Sequence, residues 1–131
     1  MKFDLLTWTE HYIKSRDAME RKLKTLERKG DTIVATYKDK TVTFLPQAAL
    51  DEKHIPADGF VTIVCLQNQS NFNALVANFS RYSQNPHLTM MFLNPQLNEK
   101  WSLKPAIHAS VADKSNLKTG LQALYQTVPP A

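Results

Sequence analysis

The chain has 131 residues, 43% of them hydrophobic and 21% charged, which is enough apolar content for one domain with a core and too much for a disordered chain. No apolar run approaches the roughly 20 residues of a membrane-spanning helix, and MKFDLLTWTEHY, with Asp4 and Glu10, lacks the apolar stretch of a signal peptide. The single cysteine, Cys65, excludes an internal disulfide and points to a reducing, cytoplasmic setting. The net charge of +4 is carried entirely by residues 14–29, KSRDAMERKLKTLERK, where seven basic residues face three acids.

The first expected element is a long helix reaching Gly30. Thr7 and Glu10 make a capping-box pattern, in which each side chain satisfies a free backbone N–H. Leu5, Trp8, Tyr12, Met19, Leu23 and Leu26 recur at spacings of three, four or seven and draw one apolar stripe. Gly30 follows a basic last turn and is a natural stop, because glycine tolerates the left-handed cap.

Residues 31–45, DTIVATYKDKTVTFL, change to a period of two and are rich in β-branched and aromatic residues, which predicts a hairpin turning at Lys38-Asp39. Pro46 ends it, and residues 47–59 read as a polar loop closing on the turn Ala57-Asp58-Gly59. Phe60 to Leu66 and Leu88 to Leu93 are continuous apolar runs of the kind buried on both faces in parallel sheets. Between them, Ser70 or Asn71 caps a helix with Phe72, Leu75, Val76, Phe79 and Tyr82 inward, and Asn85-Pro86 stops it. That makes a βαβ unit with parallel strands. Trp101 to Ala112, WSLKPAIHASVA, reads as extended, with Pro105 confining it to an edge or splitting it. Asp113 then caps a last helix with Leu117, Leu121, Leu124 and Val128 inward, ended by Pro129 and Pro130. The expected fold is a single α/β domain over residues 1–131, a mixed sheet in the order α-β-β-β-α-β-(β)-α with helices packed on it.

The stretch Gln67–Asn71, directly after a buried strand, lies where many α/β proteins hold a phosphate. A phosphate cradle uses glycines so that backbone N–H groups can approach the anion, and this stretch has none. Asn68 and Ser70 are the candidates for an anion at the helix N-terminus, with helix capping as their more ordinary role. His11, His54, His87 and His108 fall in no metal-ligand spacing, so no metal site and no cofactor are expected. His108 and Asp113 are the catalytic candidates, since a histidine beside a carboxylate pairs a general base with its orienting group. Asp113 also stands where an N-cap belongs, and no nucleophile motif partners the two. Lys14, Arg21 and Arg28, seven residues apart, with Lys24 between them, share one face of the expected helix, a ridge suited to phosphates or an acidic partner. No aromatic residue is interleaved with them, so a stacking platform for single strands is not expected.

The order helix, three strands, helix, strand over roughly residues 8–93 resembles the core order of the restriction-endonuclease-like nucleases. In that family an acid precedes an E-x-K or D-x-K on the neighbouring strand, where carboxylates hold Mg²⁺ and the lysine assists. Here the corresponding strand, Phe60 to Leu66, carries no charge, and Asp39-Lys40 in the hairpin turn does not reproduce the pattern. The resemblance therefore implies such a fold without its catalytic residues.

These expectations favour a cytoplasmic, non-catalytic binding domain acting through its basic amphipathic N-terminal helix on a protein partner or a second copy of itself. Two alternatives stand beside it. One is a nucleic-acid-associated protein using the basic ridge; the other is an enzyme with a site at the C-terminal ends of the strands, around Asn68, Ser70, His108 and Asp113.

Overall fold

In a computed structural model of the chain, residues 4–51, 55–56, 58–111 and 114–131 are described. They form a mixed six-stranded sheet with helices against it, an α/β fold in the expected order. The elements are α1 (Leu5–Glu20), β1 (Leu23–Lys29), β2 (Thr32–Tyr37), β3 (Thr41–Pro46), β4 (Val61–Leu66), α2 (Gln69–Ala77), α3 (Phe79–Tyr82), β5 (Leu88–Asn94), β6 (Glu99–Leu103), α4 (Pro105–Val111) and α5 (Lys114–Tyr125). Strands lie in the sheet in the order in which they occur in the chain. β1, β2 and β3 pair antiparallel, β3, β4 and β5 pair parallel, and β6 returns antiparallel on β5. The expected hairpin turns at Lys38 and Asp39, and the expected parallel pair is β4 with β5, joined through α2 and α3.

Alternation along the strands divides the interior in two. Val61, Ile63, Cys65, Leu88, Met90 and Phe92 face one layer, with Phe72, Leu75, Phe79, Tyr82 and Leu121 from the helices. Val64 and Met91, from the same strands, face the opposite layer with Ile33, Ala35, Val42 and Phe44, under Ile13 of α1. Strands buried on both sides have no polar period, which is why β4 and β5 read as largely apolar runs rather than as alternating ones. Burial pushes the Cys65 thiol well above its ordinary range, so it is a neutral core group. Among the described residues no helix is long and apolar enough to cross a membrane.

The expected helix to Gly30 is corrected. α1 ends at Glu20, and Arg21 caps it in the left-handed region at φ 52°, its N–H donating to the Asp17 carbonyl at 2.7 Å. The Asp17 carboxylate then accepts from the Lys22 and Leu23 N–H groups, both at 2.9 Å, and steers the chain into β1. Leu23 and Leu26, three apart, imitate helical spacing. A register shift between Leu23 and Thr25 resets the strand alternation, so that both leucines pack towards α1. Gly30 does take a left-handed conformation, φ 62°, but in the β1–β2 turn. At the other end the cap is Asp4, which accepts from the Leu6 N–H and the Thr7 hydroxyl, so Thr7 lies inside the helix. Those hydrogen bonds, the Thr7 hydroxyl first, hold the exposed Asp4 carboxyl below its ordinary value. Arg21 carries a Cβ in a conformation suited to glycine. Arg21→Gly is therefore expected to raise stability by about 1 kcal/mol, measured by urea denaturation.

Two further boundaries move. The helix expected to run to Tyr82 breaks at Asn78, which ends α2 and precedes α3. The expected extended segment Trp101 to Ala112 is β6 followed by α4. Pro105 opens that helix, where its missing N–H costs nothing and its fixed φ fits.

Candidate functional site

α1 lies over β2 and β3 and stops at Glu20, so it does not cover the whole of its sheet face. Beside it a cleft of about 670 Å³ opens over β3, β4, β5 and the end of β6. The second half of α1 forms one wall with Tyr12, Ile13, Arg16, Asp17 and Glu20; Lys104, Ile107 and His108 line the other side. Its floor is set by sheet register. Phe44 pairs with Thr62, Thr62 with Thr89, and Met91 with Ser102. Thr62 and Thr89 interrupt otherwise apolar strands at matched positions, on the face opposite Ile63 and Met90. Together with the exposed Ser102 they place three hydroxyls on neighbouring strands in one cleft.

The cleft is charged at its rim and apolar at its base. Val42, Phe44 and Met91 are buried in the floor, while Arg16, Lys22, Lys40 and Lys104 are exposed around it, with Glu20 and Asp39. Arg16 donates to the Tyr12 hydroxyl at 2.6 Å, and this bond raises the guanidinium above its ordinary value. Burial, helped by the Asp17 charge, raises the Tyr37 phenol, which stays a neutral donor at physiological pH. α1 is braced at its other end, where Trp8 stacks on Tyr12 with ring centroids 5.3 Å apart and donates to Asn98 at 3.3 Å. Lys100 sits 5.0 Å above the Tyr12 ring.

The residues singled out in the sequence do not meet at one place. Lys14 lies exposed on α1, Arg21 is its cap, and Lys24 and Arg28 belong to β1, so the single helical ridge does not exist. Arg28 is moreover engaged with α1, pairing with Glu10 and donating to the Thr7 hydroxyl at 3.1 Å. β1 is an edge of the sheet, and Lys24, Glu27, Arg28 and Lys29 along it discourage pairing with another chain.

At the junction after β4, Asn68 is the cap of α2, accepting from the Asn71 N–H at 2.8 Å, and Ser70 is exposed in the first turn. The crevice beyond the ends of β4 and β5 is occupied by the chain itself. Gln67, fully buried, donates to the carbonyls of Tyr125 at 2.7 Å and Val128 at 2.9 Å, and accepts from the Trp101 indole at 2.8 Å. Its carbonyl accepts from the Ala131 N–H at 2.7 Å, and Asn94 donates to the carbonyls of Pro129 and Pro130. The polar residues at this junction thus fasten residues 125–131 across the strand ends.

His108 stands on α4, not on an extended segment, and Asp113 lies outside the described residues. The His108 ring meets the edge of Phe79 at 6.2 Å. Its Nε2 is buried without a hydrogen-bond partner among the described residues, facing Gly120 of α5, so that nitrogen is turned away from water. A Cβ at Gly120 would lie 3.4 Å from that nitrogen, an ordinary contact. Gly120→Ala is expected to stabilise the protein by about 1 kcal/mol through helix propensity, read as a rise in Tm.

Sequence reasoning missed the cleft. Its available signal was a hydroxyl residue inside each of the two apolar runs. Among the described residues no group of three or more His, Cys, Asp or Glu is placed to hold a metal ion. Comparisons with protein-family models, with curated proteins and with solved structures found no match.

Proposed function

We propose that the chain is a non-catalytic binding domain whose ligand seat is the cleft between the second half of α1 and α4. One observation carries this reading: α1 stops at Glu20 and leaves a concave strip of sheet bearing Thr62, Thr89 and Ser102 beside exposed cations. A volume of about 670 Å³ suits a compact small molecule rather than a folded protein. The N-terminal helix is still the element through which the domain acts, but through its inward side chains Tyr12, Ile13 and Arg16 rather than an outward basic ridge. A cytoplasmic setting, inferred from the lone cysteine, belongs to the same proposal.

The test is a screen of neutral, anionic and cationic fragments by ¹H–¹⁵N correlation spectra. Shifted amides are expected to cluster on β3, β4, β5 and the second half of α1, and to be lost in Thr89→Trp, which fills the cleft from its floor. Shifts scattered elsewhere, or retained in that variant, would sink the reading.

A further inference from the structure

Resting on the cleft reading above, we propose that the ligand is a nucleotide-sized phosphate monoester. Its phosphate is held by Thr89, Ser102 and Lys104, and its body lies towards Tyr37, Val42 and Phe44. The first argument is the division of charge along the cleft. The lining acids, Asp17, Glu20 and Asp39, all come from α1 and the β2–β3 turn. The opposite side, built from β5, β6 and α4, contributes Lys104 and hydroxyls and no acid. On their own side those acids are matched by Arg16, Lys22 and Lys40, whereas Lys104 has no acid on its side, so an anionic group is drawn to the Lys104 end.

The second argument is the unspent donors. The side chains of Thr62, Thr89 and Ser102 make no hydrogen bond, and Lys104 makes no ion pair, among the described residues. Antiparallel pairing sets Met90 opposite Leu103, so one step further along the ladder brings Lys104 level with Thr89. An ammonium and two hydroxyls on adjoining strands suit the several acceptor oxygens of one phosphate, which a planar carboxylate would match less fully. The third argument is the other end. Val42 and Phe44 are buried apolar floor, Tyr37 is a half-buried aromatic, and Asp39 and Glu20 offer acceptors to amines or sugar hydroxyls. Ring and sugar fit there, and the phosphate fits at the acid-free end.

The experiment titrates the full chain with AMP, adenosine, ribose 5-phosphate and inorganic phosphate, followed by ¹H–¹⁵N spectra. AMP is expected to shift the amides of Thr62, Thr89, Ser102 and Lys104 and to bind at least about ten-fold more tightly than adenosine. In Lys104→Met, an exposed site where folding is not at risk, AMP affinity falls by about ten-fold or more and adenosine binding is unchanged. Adenosine binding as tightly as AMP, a Lys104→Met variant indistinguishable from the parent, or no phosphate-bearing probe reaching the cleft would each overturn the proposal. If neutral fragments still map to the cleft in the screen above, only the phosphate assignment falls; if they miss it too, the cleft reading falls with it.

Discussion

Gln67→Leu is expected to destabilise the protein by about 3–4 kcal/mol, with a fall in Tm of about 10 °C. Leucine keeps the volume of the fully buried side chain but removes three hydrogen bonds at once. The Trp101 indole N–H and the carbonyls of Tyr125 and Val128 would remain without their partner in a place water reaches poorly. Each such orphan costs about 1–3 kcal/mol, and the three share one site, so their costs do not simply add. Chemical denaturation gives the free energy, and amide exchange in residues 125–131 gives the location. A loss below 1 kcal/mol, or unchanged protection of that segment, would show that Gln67 does not fasten it.

Asn71→Leu should cost about 3 kcal/mol by the same physics at the other side of the junction. The buried amide donates to the carbonyls of Ala48 at 2.8 Å and Leu66 at 2.7 Å, and its oxygen accepts from the Leu50 N–H at 2.9 Å. It thereby fixes the chain leaving β3 against the end of β4. The signature differs from that of Gln67: exchange should accelerate first at Leu50 and Leu66, while β1 and β2 keep their protection. Uniform acceleration across the sheet would contradict a local role for this side chain.

The apolar runs of β4 and β5 were legible because burial on both faces leaves no alternative pattern. The hairpin of β2 and β3 was legible from its period of two. β1 was not, because its register shift gives two leucines a spacing of three, and no one-dimensional period separates that from a helix. Pro105 misled for a related reason, since a proline that breaks a strand pattern is equally suited to open a helix, as it does here two residues after β6 ends at Leu103. The site was less legible than the fold. Thr62 and Thr89, 27 positions apart in the sequence, become neighbours only through the register of two strands, and Lys104 joins them only through the antiparallel return of β6. The buried amides of Gln67, Asn71 and Asn94 carry no sequence signal beyond a position just past an apolar run. A side chain that caps a helix and one that tethers a distant segment are the same residue types there.

A sheet whose strands stand in the order of synthesis has a particular assembly history. Every strand after the first has its neighbour already made, so a nascent polypeptide leaving the ribosome can extend the sheet at its growing edge without waiting for a remote sequence. Each pairing joins consecutive strands, and one fastening step waits for residues 125–131. Only when residues 125–131 arrive do the amides at the far ends of β4 and β5 acquire acceptors. A chain stalled before that point would carry these donors raw, and should be the species that chaperones and proteases recognise.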